Sequence, residues 1–169
     1  MRYVPYLIGI GLLCTVPAIG QALKGHDAKS PVDVAADRIE VQDRADRAIF
    51  SGNVVVRQAN LTLTASRLTV AYARQGSGVD IERLDASGGV SVKSPSETAR
   101  GDFAVYDLNR RIITLVGGVE LTQGNNRIQG GRMVIDLDTG RATVDGHSAP
   151  GAGASGRVTG RFTVANGKK

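Results

Sequence analysis

Residues Arg110 to Gly146 read RRIITLVGGVELTQGNNRIQGGRMVIDLDTGRATVDG, and they decide the fold class of the chain. Val119-Glu120-Leu121 and Met133-Val134-Ile135-Asp136-Leu137 place apolar residues at every second position, the period of a strand with one buried face. Each run is bounded by turn chemistry. Gly117-Gly118 precedes the first and Gly124-Asn125-Asn126 follows it; Gly130-Gly131 precedes the second and Asp138-Thr139-Gly140 closes it. The expectation is short antiparallel strands with a tight connection at each of these places. No part of the stretch carries a helical period.

Outward from Met133, related sequence recurs at Ile39, Leu68, Phe103 and Phe162, at steps of 29, 35, 30 and 29 residues. DRIEV, SRLTV, GDFAV, GRMVI and GRFTV all put apolar residues at their third and fifth places, and GNVVV, GGVSV and GGVEL form a second recurring strand. A period of this length marks units that stack and bury one another's faces. The longest step carries an insertion, RQGSG at Arg74 to Gly78, expected as a protruding hairpin loop. Order begins at Pro31-Val32-Asp33-Val34, and from there strand follows strand with no room for crossovers. That predicts an all-β fold, antiparallel, of up-and-down or jelly-roll type.

The first 22 residues have a different composition. Met1 to Ala22 holds one charge, Arg2, then an apolar run from Leu7 to Ile19 with small residues at Ala18, Gly20 and Ala22. This is the layout of a secretory signal peptide cleaved near Gly20 or Ala22, with an uncleaved membrane anchor as the alternative. Either reading exports the chain. Its single cysteine, Cys14, lies within this segment, so a mature protein from residue 23 would rely on packing and sheet hydrogen bonds without disulfides. Residues 23–30 read as a flexible lead-in, 31–149 as the β domain, and 150–169 as a glycine-rich break with a terminal strand and tail.

The chemistry of the chain is sparse. It has 2 histidines, His26 and His147, neither at metal-ligand spacing, and no base–nucleophile pair is apparent, so neither a metal, a cofactor nor an enzymatic activity is expected. Gly151, Gly153 and Gly156 match a dinucleotide-binding string, but no βαβ unit surrounds them, and a turn is the better reading. Arg100-Gly101-Asp102 and Asn60-Leu61-Thr62 spell an adhesion and a glycosylation motif inside expected strands, where they match by chance. Asp136, Asp138 and Asp145 read as solvated residues closing hairpins. Arg44, Arg47, Arg110, Arg111 and Arg141 fall near turns as scattered surface charge, too thin for a nucleic-acid face.

The apolar alternation is the remaining functional signal. Val54, Val56, Leu61, Leu63, Leu68, Val70, Val90, Val92, Phe103, Val105, Val119, Leu121, Met133, Ile135 and Leu137 are expected to share one interior. The plain reading is that they fill a core. A sandwich open at its ends would also admit hydrocarbon, with each buried methylene contributing about 0.8 kcal/mol.

PVDVAADRIEV, FSGNVVVRQANLTLTASRLTV and the run ARGDFAVYDLNRRIITLVGGVELTQGNNRIQGGRMVIDL, in that order, resemble the LptA family, the OstA-like periplasmic bridge proteins of lipopolysaccharide transport. The similarity covers about Pro31 to Gly146. It implies a twisted antiparallel β-jelly roll open at both ends, with lipid A acyl chains inside and sugars outside, stacked head to tail between an LptC-like inner-membrane partner and an LptD-like outer-membrane partner. Val32 and Val34 would line the lipid path near a junction, with Ile39 and the alternating interior set continuing it. A membrane-anchored LptC-like component, or a structural β-repeat that assembles through its edges without lipid, are the competing readings.

Overall fold

The computed structural model describes residues 26–27, 29–76, 78–146 and 156–163. The expected export segment at 1–22, His147, and all of the 150–169 break except 156–163 lie outside the described residues. The strands are β1 (Asp33–Ala35), β2 (Arg38–Gln42), β3 (Arg47–Gln58), β4 (Leu61–Gln75), β5 (Gly78–Lys93), β6 (Glu97–Asp107), β7 (Ile112–Gln123), β8 (Asn126–Asp136), β9 (Arg141–Asp145) and β10 (Thr159–Arg161). They form one ten-stranded sheet in the order β1-β3-β4-β5-β6-β7-β8-β10, with β2 beside β1 on β3 and β9 beside β10 on β8. All pairings are antiparallel. The only helical turn among the described residues is the 3-10 turn Asp43–Ala45.

The glycine pairs do something other than the sequence suggests. Gly124-Asn125 and Asp138-Thr139-Gly140 do turn the chain, but Gly117-Gly118 lies in the middle of β7 and Gly130-Gly131 in the middle of β8. Gly52-Asn53 and Gly88-Gly89 likewise sit inside β3 and β5. Register shifts occur there in each of the five pairings from β3–β4 to β7–β8, between Ser51 and Val54, Thr64 and Arg67, Ser87 and Val90, Arg100 and Phe103, and Val116 and Val119. A bulge puts an extra residue into one strand and bends it. Five aligned bulges crease the whole sheet.

The crease divides each long strand into two halves and the sheet into two layers. One layer holds β1, β10 and the segments around Val54–Gln58, Leu61–Ala65, Val90–Lys93 and Val119–Gln123; the other holds β2, β9 and the segments around Leu68–Tyr72, Leu84–Ser87, Phe103–Asp107 and Ile112–Val116. Their inner faces meet in a single apolar cluster in which Leu68, Leu115, Met133 and Ile135 are fully buried. A lone sheet could not bury its face in this way; the cover is the other layer.

Each bulge also resets which residues point inward. In β6, Glu97, Ala99 and Gly101 are buried before the crease, and Ala104 and Tyr106 after it. Phe103 and Val105 therefore face outward, contrary to their expected place in the interior. Phe103 is 57% exposed, and neither residue belongs to the core cluster.

The RQGSG insertion extends β4 and β5 into a hairpin that outruns its neighbours, and Arg74 ties it to the 3-10 turn through Asp43 (2.6 Å) and Asp46 (3.1 Å). These ion pairs are exposed, so they position the hairpin more than they stabilise the fold.

Candidate functional site: the space between the two layers

The region that could receive a ligand follows from the crease. One long margin of the sandwich is closed by the bulges themselves. The opposite margin runs along the strand tips, where Tyr106 Oη on one layer donates to Gln58 Oε1 on the other at 3.1 Å. Gln58 Nε2 donates to the Ser30 carbonyl at 3.0 Å, and a His26 ring nitrogen lies 3.1 Å from Gln58 Oε1. Part of the expected flexible lead-in thus lies over this margin. Among the described residues Gln58, Ser94 and Glu97 are the buried polar side chains, all near these tips, and Gln123 donates to Glu97 at 2.8 Å. Burial pushes the Tyr106 phenol up to about 12, because its anion would lose water without gaining a countercharge of equal effect.

Behind the tether, a gap of about 20 Å³ separates Val32, Val56, Leu61, Leu63 and Val92 from Leu84, Tyr106 and Ile113. That volume holds roughly one small molecule the size of water, and its lining is apolar. A hydrocarbon chain enters this space only if the layers move apart.

Of the residues expected to line the path, Val54, Val56, Leu61, Leu63, Leu68, Val70, Val90, Val92, Val119, Met133 and Ile135 are buried together in the core, as is Leu137. Val32, Val34 and Leu121 are partly buried against it. Ile39 is on the inner face, paired with Phe50, but 57% exposed because β2 overhangs the opposing layer. Phe103 and Val105 are on the outer face. Interior positions that the sequence pattern missed include Leu84, Ala86, Ala104, Tyr106, Ile113 and Leu115. In Phe103-Ala104-Val105-Tyr106 every residue is apolar or aromatic, so alternation alone favours the bulkier Phe and Val; the phase is set by the bulge opposite Gly117-Gly118.

Both ends of the sandwich leave apolar inner face uncovered. At the β1/β2 end, Ile39 and Val41 pair with Phe50 and Ala48, and Val79 continues the face of Ile81; Val41 and Val79 are 60% and 64% exposed. At the β9/β10 end, Gly160 pairs with Ile128, and the Phe162 ring packs over Gly160 where a side chain would stand; Val158 and Phe162 are both exposed. Among the described residues no group of His, Cys, Asp or Glu could hold a metal ion. The arrangement is that of a closed apolar core whose inner face continues, uncovered, to both edges of the sheet.

The sequence model of the LptA/(LptD N-terminal domain) LPS transport proteins matches residues 33–141, from the first edge strand to the start of β9. The chain belongs to this family. An uncharacterized protein of Rhizobium meliloti is 35% identical over 121 residues, 68% of this chain and 65% of that protein. The LPS-assembly protein LptD of Sodalis glossinidius is 31% identical over 128 residues, 75% of this chain but 16% of LptD. The lipopolysaccharide export system protein LptH of Pseudomonas aeruginosa is 26% identical over 129 residues, 69% of this chain and 72% of LptH. The chain therefore spans just under two thirds of the Rhizobium relative and a small part of LptD. The crystal structure of LptH, the LptA-homologous periplasmic component from Pseudomonas aeruginosa, superposes with a TM-score of 0.70 at 21% identity, covering 82% of this chain and 99% of that one. The creased antiparallel sheet is the fold of the LptA family.

Proposed function

We propose that this protein is a periplasmic carrier in lipopolysaccharide transport, holding the acyl chains of lipid A between its two layers while sugars and phosphates stay outside. The observation that carries the reading is the pairing of family membership with an apolar inner face that runs uncovered out of both ends of the sandwich. Acyl chains enter where Ile39, Val41 and Val79 are exposed and displace contacts such as those of Val56, Leu63 and Leu84, so that buried methylenes replace the closed packing. No covalent step is required, and the driving work comes from elsewhere. The exposed edges β1/β2 and β9/β10 would continue the passage into a second copy, or into LptC-like and LptD-like neighbours. Backbone N–H and C=O groups on open edge strands recruit further strands unless blocked.

The experiment is site-specific photocrosslinking in cells, with a photoreactive residue placed in turn at Val34, Ile39 and Leu63 on the inner face and at Phe103 and Val105 on the outer face. Capture of lipopolysaccharide at the first three positions and none at the last two is expected. Equal capture on both faces, or none at any inner position, ends the proposal.

A further inference from the structure

The outer face of the layer that contains β1 and β10 has a chemistry of its own. Cross-strand partners carry hydroxyl and cationic side chains across it, Thr62 to Lys93, Lys93 to Thr98, Thr98 to Thr122 and Thr122 to Arg127, and the row ends where Arg127 stands directly opposite Arg161. Like charges in direct cross-strand register destabilise a sheet. Nearby acid does not cancel them. Glu120 lies 3.5 Å from Arg127 and 3.8 Å from Arg100 and also accepts from Gln129, so one carboxylate serves two guanidiniums. Among the described residues no carboxylate lies within ion-pair distance of Arg161.

The same two arginines border a depression of about 420 Å³ whose other walls are Asn125, Gln129, Thr159 and Gly160. That size falls within the range of small-ligand sites. Thr163 N–H donates to Asn126 Oδ1 at 2.9 Å and so fixes β10 against the start of β8. The walls offer amide and hydroxyl groups suited to sugar hydroxyls, and the opposed guanidiniums suit a dianion that both can grip through charge-assisted hydrogen bonds. Asn125 lies in the β7–β8 turn at the tip of its layer, so a group emerging between the strand tips can reach round the rim to this face.

We propose that Arg127 and Arg161 form a binding site for a phosphate monoester carried on a sugar. The assignment rests on the lipopolysaccharide reading only for the source of that phosphosugar, which would then be the head group of a lipid whose acyl chains lie between the layers. A soluble sugar phosphate has the same chemistry, and the test separates the two.

The test titrates the full-length chain with glucosamine 1-phosphate, with inorganic phosphate and with glucosamine, following backbone amides by NMR. Glucosamine 1-phosphate should shift Asn125, Gln129 and Thr159, bind more tightly than inorganic phosphate, and weaken as salt is raised, while glucosamine alone produces no shift. Arg127→Gln and Arg161→Gln should each weaken binding by about 10-fold, the loss of one charge-assisted contact. Arg161→Gln should leave the urea unfolding midpoint of the unliganded protein unchanged or raise it, since it relieves a like-charge pair. Affinity unchanged in both variants, or glucosamine binding as well as its phosphate, overturns the site. A second arm compares lipopolysaccharide with and without its phosphates. A head-group source predicts that Arg161→Gln lowers retention only of the phosphorylated form; a soluble source predicts no difference between the two forms. If Ile39 and Leu63 fail to capture lipid while glucosamine 1-phosphate still binds through both arginines, the carrier reading falls and the site stands.

Discussion

Met133 and Phe103 occupy equivalent places in the repeat, yet one is fully buried and the other is 57% exposed. Their substitutions should therefore diverge. Leu68→Ala and Met133→Ala each remove a side chain surrounded on all sides and should lower stability by about 2–5 kcal/mol in urea titrations. Phe103→Ser on the outer face should change it by less than about 0.5 kcal/mol. A loss at Phe103 equal to that at Met133 would place Phe103 inside after all. Tyr106 makes a separate prediction. Its pKa is raised from 10.0 to about 12 in the folded chain, chiefly by burial, so between these values the unfolded chain releases the proton first. Stability should fall as pH climbs from 10 through about 12, and Tyr106→Phe should flatten that slope. The sign reverses at Asp136, whose carboxylate accepts from the N–H groups of Asp138 and Thr139 and is held below its usual 3.8 chiefly by the Thr139 backbone. Its contribution is present above pH 3.8 and disappears as pH falls through the lower folded value.

The crease strands show where sequence reading works and where it stops. Alternation in GNVVV, GGVSV and GGVEL locates strands and their buried residues correctly after each bulge, because nothing interrupts the two-residue period there. What it cannot carry is phase across the bulge. Two glycines look alike whether they end a strand or kink it, and the difference lies in whether the flanking residues pair with the same neighbour, which is a long-range fact. At two of the crease glycines, Gly88 and Gly117, a short polar residue on the adjacent strand fills the space a side chain would need. A Cβ added at Gly117 would strike the Asp102 carboxylate, and one at Gly88 would strike Ser66, whose hydroxyl donates to the Gly88 carbonyl at 2.8 Å. Gly117 itself has φ of +85°, a left-handed conformation that an L side chain resists. Gly117→Ala should cost about 1–3 kcal/mol, more than Gly124→Ala in the open hairpin turn, where nothing lies within 4 Å of the added carbon. Thermal unfolding of the two variants side by side checks this, and equal losses would mean that conformation alone, not the Asp102 clash, limits the crease.

At the scale of the molecule, the two ends are different surfaces. β1 and β2 present Ile39 and Val41 on the inner face at one edge, whereas β9 and β10 present Val158 and Phe162 at the other. Contact between unlike patches of identical chains is heterologous, and without a closing rotation it grows into a filament. A solid structural repeat would bury these edges for stability alone, while a carrier must keep the inner face continuous through each junction. Val41→Asp distinguishes them, since the charge sits on an exposed edge strand that already faces solvent in the isolated chain. Sedimentation should show wild-type chains associating as concentration rises and Val41→Asp remaining a monomer, with the unfolding free energies of the two, from urea titrations at concentrations where both are monomeric, agreeing within about 0.5 kcal/mol. In a carrier that loads past Ile39 and Val41, the same variant should also lower lipopolysaccharide capture at both Ile39 and Leu63, which lies deeper between the layers. If association is lost and capture at both positions is unaffected, the edges serve assembly alone and lipid enters instead along the strand tips, past the Gln58–Tyr106 hydrogen bond.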